Sequence, residues 1–143
     1  MVEDFIDSLE RLHERVEDEN RAAIGPYTGR QLMMMAALAT YENPPTLGEF
    51  ADRLRCSYQN VRVLVSLLED HGCTLAQQDP NDGRRLRIVL TDEGRELTSR
   101  VKKHLDGVQA RYAEAIPEED MTAFVRVVDA ILEEDGYIMT FEL

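Results

Sequence analysis

The stretch Pro80-Asn81-Asp82-Gly83 separates two short alternating segments, 73–79 (CTLAQQD) and 84–90, the latter running on to Thr91. Asn, Asp and Gly between such segments signal a hairpin. Elsewhere the apolar residues recur by threes and fours, the period of a helix. The chain is therefore expected to be mainly α with one small β-hairpin, and every helix must be placed around that ribbon. In its second strand Leu86, Ile88 and Leu90 share one face, and Arg85, Arg87 and Val89 share the other.

Residues 2–22 carry Phe5, Ile6, Leu9, Leu12 and Val16 on one face of a predicted helix, which Gly25-Pro26 ends. Thr28 and Gln31 form a predicted capping box opening a helix through about Tyr41. Its stretch 32–38 (LMMMAAL) is apolar nearly all round, as a buried central helix would be. Met33, Met34 and Met35 could line an adaptable pocket, but core packing is the better account of them. Glu42-Asn43-Pro44-Pro45 is a loop, since each proline disfavours helix at the residue before it. Thr46 and Glu49 make a second capping box for a short helix to about Leu54, and Arg55-Cys56 turns the chain. Ser57 caps a further helix to about His71 with Val61, Leu64, Val65 and Leu68 as its apolar face. Gly72 follows where a left-handed residue belongs. After the hairpin, Thr91 caps a long helix to about Ala115, striped by Leu97, Val101, Leu105, Val108 and Tyr112. Pro117 suits the first turn of a last helix with Met121, Phe124, Val125, Val128 and Leu132 inward.

A length of 143 residues fits a single domain, here 1–143. No apolar run approaches the ~20 residues that span a bilayer, and the first residues carry no leader pattern. A cytoplasmic protein with no membrane partner is expected. Cys56 and Cys73 lie 17 apart with no CxxC spacing, so free thiols are expected, either of which could respond to an oxidant. His13, His71 and His104 make no ligand spacing, and no phosphate loop or nucleophile elbow is present. The acid runs at 17–19, 118–120 and 133–135 sit at helix ends as solvated faces. Neither an enzyme nor a metal or cofactor site is expected.

Charge is unevenly spread. The formal net charge is −12, yet residues 46–103 hold ten of the 16 Lys and Arg and only nine of the 28 Asp and Glu. A near-neutral middle between strongly acidic flanks, with Arg84, Arg85 and Arg87 clustered at the hairpin, points to a polyanion as partner. A short helix, a tight turn, a second helix and a hairpin make a winged helix-turn-helix. A helix fits the major groove of duplex DNA and reads base edges from its N-terminal half. Here those positions are Ser57, Tyr58, Gln59, Asn60, Arg62 and Val63. The hairpin places Arg84, with Arg85 and Arg87, near the adjoining minor groove or its phosphates.

From about Thr28 to Gly94 the chain resembles the MarR family of bacterial transcription regulators. The resemblance lies in TLGEFADRL at 46–54, in V-x3-V-x2-L-E-x2-G at 61–72, in D-x-R at 82–84 and in L-T-x2-G at 90–94. It implies a homodimer in which 28–94 is a winged helix-turn-helix DNA-binding region and 1–27 and 95–143 supply dimerisation helices. It further implies a pseudo-palindromic operator, repression relieved by a small-molecule ligand or an oxidant, and a wing tip supported by Asp82. The apolar tail 136–143 would pack over the dimer interface or the partner subunit.

Three positions depart from the family pattern. Gly83 stands where a second basic wing residue is usual, Leu67 where the recognition helix commonly carries Arg, and Ala76 where the first wing strand is usually basic. They favour an alternative in which a degenerate winged helix acts through protein–protein contacts as an anti-repressor, with little DNA binding.

Overall fold

The computed structural model describes residues 2–134, so the tail 136–143 and its expected packing lie outside the described residues. Six helices and one hairpin follow in chain order: α1 (Val2–Ala23), α2 (Gly29–Ala39), α3 (Leu47–Leu54), α4 (Tyr58–Asp70), β1 (Thr74–Gln78), β2 (Leu86–Leu90), α5 (Asp92–Ala115) and α6 (Glu118–Glu134).

Local chemistry sets most of these boundaries. Thr28 and Thr46 each cap a helix with their side-chain oxygen, and Gln31 and Glu49 reach back to the cap backbone. Ser57 and Thr91 accept from Asn60 N and Gly94 N in the same way. Each bond satisfies a backbone N–H that the helix itself leaves unpaired. Arg55 closes α3 in the left-handed region at φ 50°, the one non-glycine among the described residues to do so. That residue makes the turn between α3 and α4 tight enough for the two helices to cross.

β1 and β2 pair antiparallel, with Ala76 opposite Ile88 and Gln77 opposite Arg87. The ribbon is shorter than its alternation suggested. Arg85 falls in the connecting loop, where Asp79 N donates to Arg85 O at 2.9 Å and Arg85 N donates to Asp82 O at 2.9 Å. The α2–α3 loop adds a third rung: Ile88 N donates to Pro45 O at 2.8 Å, and Thr46 bridges Arg87.

Two buried clusters hold the fold. One joins Met34, Ala37 and Leu38 to Leu47, Phe50, Leu54, Val61, Val65 and Ile88, locking the hairpin to α2, α3 and α4. The other joins Leu32, Met35 and Ala36 to Leu68, Cys73, Leu97 and Val101, locking α2 and α4 to α5. Met34 and Met35 are core residues on opposite sides of the central helix. Burying side chains such as Phe50 and Leu54 stabilises by about 1.5–3 kcal/mol each.

Gly94 is required where α5 starts. A Cβ built on it would lie 1.9 Å from the Cys73 carbonyl oxygen, so the helix can approach the end of α4 only with hydrogen at that position. Thr91 completes the joint, donating from N to Cys73 O at 3.0 Å and from its hydroxyl to Gly72 O at 2.5 Å.

The last helix corrects one expectation. Of its expected inward stripe, Phe124 and Val125 are exposed while Met121, Val128 and Leu132 are half-buried, and among the described residues neither cluster contains a residue of α1 or α6. Phe5, Ile6 and Leu12 of α1 are exposed too. Among the described residues nothing covers these side chains. The base of α1 is instead tied by polar contacts: Asn20 Oδ1 lies 2.8 Å from His104 Nε2, and Glu19 pairs with Arg111. That pairing holds the Glu19 carboxyl below its ordinary range.

Candidate nucleic-acid interface

Helix α4 buries Val61, Val65 and Leu68 and packs Leu64 beside them. Its other side is open: Tyr58, Gln59, Asn60, Arg62, Val63 and Ser66 are all exposed. Ser57 is committed to capping, its Oγ accepting from Asn60 N at 3.2 Å. The two acids of the helix, Glu69 and Asp70, are exposed at its C-terminal end. Tyr58 faces the wing loop across a cleft of about 330 Å³ that also borders Leu47, Gly48, Glu49, Arg84 and Arg85. Tyr58, at the start of α4, and the first two wing arginines therefore border one cleft.

The wing loop is shaped by its own carboxylates. Asp82 Oδ1 accepts from Arg84 N at 3.0 Å, so this side chain sets the backbone that carries Arg84. Asp79 Oδ1 accepts from Asn81 N at 2.8 Å. Arg84 and Arg85 are exposed and Gly83 is open, with nothing within 4 Å of a Cβ built there.

Arg87 departs from the expectation that it would follow phosphates beside Arg85. Its guanidinium lies across the foot of the wing, 2.7 Å from Asp79 Oδ2, and donates from Nη1 to Pro44 O at 2.6 Å. The Asp79 side chain is 5% exposed and that of Arg87 27%. A backbone hydrogen bond from Asn81 and the guanidinium of Arg87 hold the Asp79 carboxyl below its usual range. Pairing with Asp79 or Asp82 is the alternative role open to a cluster of arginines on this ribbon, and Arg87 takes it with Asp79.

The two thiols are separate and free. Cys73 is buried in the second cluster, and Tyr27 beside it has its hydroxyl pKa raised by burial and by that thiol. Cys56 is half-buried in the α3–α4 turn and accepts from Arg30 Nη2 at 3.3 Å. Of the wider basic set, Arg53 stacks on the Tyr41 ring at 4.8 Å, and Arg55 is exposed at the turn.

A cleft of about 600 Å³ opens on the far side of the hairpin, between the end of α2, β2 and the first turns of α5. Tyr41, Pro45, Val89, Arg95 and Lys102 border it. Among the described residues no group of three or more His, Cys, Asp or Glu could hold a metal ion, and no helix is long and apolar enough to cross a membrane.

This architecture is the winged helix-turn-helix fold of the MarR-family regulators. Among solved structures it is similar to S. aureus MepR in its DNA complex, with a TM-score of 0.72 at 18% identity over 94% of this chain and 98% of that one. The PcaV transcriptional regulator from Streptomyces coelicolor, solved with its natural ligand, matches with a TM-score of 0.70 at 20% identity, covering 87% of this chain and 89% of that one. A MarR-family transcriptional regulator from Rhodococcus sp. RHA1 matches at 0.62 and 22% identity over 98% of both chains. No family model matches the sequence, and no curated protein matches it.

Proposed function

We propose that the chain is a sequence-specific, DNA-binding transcriptional regulator that works as a homodimer on a pseudo-palindromic operator. Residues 28–94 form the reading unit in this account, and the helices at 1–27 and 95–143 join the protomers. The observation that carries it is the cleft that Tyr58 of α4 shares with exposed Arg84 and Arg85 of the wing, with Gln59, Asn60, Arg62 and Val63 exposed on the same helix. An α-helix flanked by a basic ribbon suits a major groove and the phosphates next to it. The similar fold of MepR, solved with DNA, supports the reading.

The uncovered apolar faces of α1 and α6 support the dimer. Phe5, Ile6, Phe124 and Val125 together form more exposed apolar surface than a lone protomer has reason to keep. The cleft against β2 and α5 is the proposed seat of a small-molecule effector. A molecule wedged there would bear on the wing strand and on the helix that leads to the dimer. The fold-level likeness to PcaV, solved with its natural ligand, is in keeping with this. Repression is the mode we assign.

Selection of bound fragments from genomic DNA tests the proposal. It predicts an enriched inverted repeat whose half-site centres lie about 34–36 Å apart, one duplex turn. One finding favours a second reading: Arg87 is withdrawn from the basic rim, and Gly83 brings no second basic side chain to the tip beside Arg84. A winged-helix anti-repressor acting on another protein would enrich no repeat in that selection.

A further inference from the structure

We infer that the half-site read by this chain has A·T pairs at its core, with one thymine 5-methyl group seated on Val63. The inference rests on the DNA-binding reading above and adds the chemistry of what is read. Val63 is 69% exposed, more than any other large hydrophobic side chain among the described residues. It touches neither buried cluster, and a β-branched residue has no propensity advantage on a helix surface. Folding gives no reason for it.

Its neighbours define what it faces. With successive residues turned by about 100°, Gln59 stands about 40° to one side of Val63 and Asn60 about 60° to the other. Arg62 is about 100° away, toward the flank of the helix. Neither the Gln59 nor the Asn60 side chain has a hydrogen-bond partner among the described residues, although both are exposed and close to the helix start. The most outward part of α4 is thus a methyl surface between two free carboxamides, with its cation at the edge.

Charge orders the helix end to end. Glu69 and Asp70 load its C-terminal turn with negative charge, which phosphates repel. The N-terminal half, free of acids and carrying Arg62, is therefore the part that enters the groove. That places Gln59, Asn60 and Val63 against base edges and Arg62 against a phosphate.

The major-groove code then selects the bases. A carboxamide pairs bidentately with adenine N6 and N7, and an apolar side chain packs on the thymine methyl. Guanine calls for Arg or Lys, and cytosine for Asp or Glu. Along the outward line of the N-terminal half none of those four residue types is present. An A·T core is what this surface complements.

The test starts from the full-length protein and a pool of randomised duplexes. The winning duplex is then remade with deoxyuridine replacing each thymine in turn, which removes only the 5-methyl group. At one position per half-site we expect the wild type to lose about three- to tenfold in affinity, and Val63→Ala to lose nothing further there. Val63→Ala should not lower the melting temperature, because the side chain belongs to neither buried cluster and Ala is the better helix former. Half-sites enriched with a G·C core overturn the inference. So does a deoxyuridine loss that is equal in wild type and Val63→Ala. If the wild type retains no duplex at any salt, the DNA-binding reading falls and this one with it. That outcome is distinct, since it precedes any comparison of bases.

Discussion

Arg87 clasps Asp79 beneath the wing, with Nη2 2.7 Å from Oδ2 while Nη1 reaches Pro44 O at 2.6 Å. One guanidinium thereby ties the hairpin to its own turn and to the α2–α3 loop. Arg84 and Arg85, three and two residues earlier, make no ion pair among the described residues. Neighbouring arginines therefore have different work, and substitution should separate them.

Arg87→Ala should lower the melting temperature clearly, because it leaves the buried Asp79 carboxylate without its cation. Arg84→Ala should leave the melting temperature unchanged and weaken DNA binding. Thermal unfolding and fluorescence anisotropy on the two variants decide this. Equal stability loss in both would contradict the division.

The same contact predicts a pH dependence. The folded-state pKa of Asp79 is depressed, so its carboxylate stabilises the fold above the ordinary value of about 3.9 and loses that contribution as pH falls through the folded value. Glu19, depressed by Arg111, acts in the same direction. Melting temperature should fall on acidification below about pH 4. In Asp79→Asn the fall should be smaller. An identical acid profile in wild type and variant would exclude Asp79 as a source.

Gly94→Ala should disrupt the joint between the wing and α5. The new Cβ would meet the Cys73 carbonyl at 1.9 Å, and forcing such an extra group in typically costs about 1–3 kcal/mol, occasionally more. Gly83→Ala, with open space around it, is the control and should be near neutral. Chemical denaturation of both variants measures the difference.

Much of this was legible from local punctuation. Thr28, Thr46, Ser57 and Thr91 each bond within four residues, so their chemistry is written where it acts. The conformation of Gly72, at φ 71°, was legible for the same reason. The destination of Arg87 was not, since one of its partners lies 43 residues away and only the folded α2–α3 loop brings it near. Alternation assigned Arg87 to the outer face with Arg85, but β2 begins at Leu86 and Arg85 belongs to the loop. The stripes of α1 and α6 were read correctly as apolar faces. Periodicity marks such a face without naming what covers it, so Phe124 and Val125 of α6, expected inward, are exposed among the described residues.

Those stripes carry a prediction of their own. Ile6 is 53% exposed and Val125 54%. Ile6→Glu together with Val125→Glu should shift the protein from dimer to monomer in sedimentation while the winged core stays folded. A wild-type protein that sediments as a monomer at the concentrations where it binds DNA would contradict the proposed assembly.

The most direct test of the central claim is the dependence of DNA affinity on salt. Arg62, Arg84 and Arg85 offer three phosphate contacts per protomer, so a dimer should give a slope of about −5 in log affinity against log salt. Gly83→Arg should steepen it by about one to two units, and Arg84→Ala should flatten it by a similar amount. A slope indistinguishable from zero on the selected operator, unchanged by either substitution, would contradict the account.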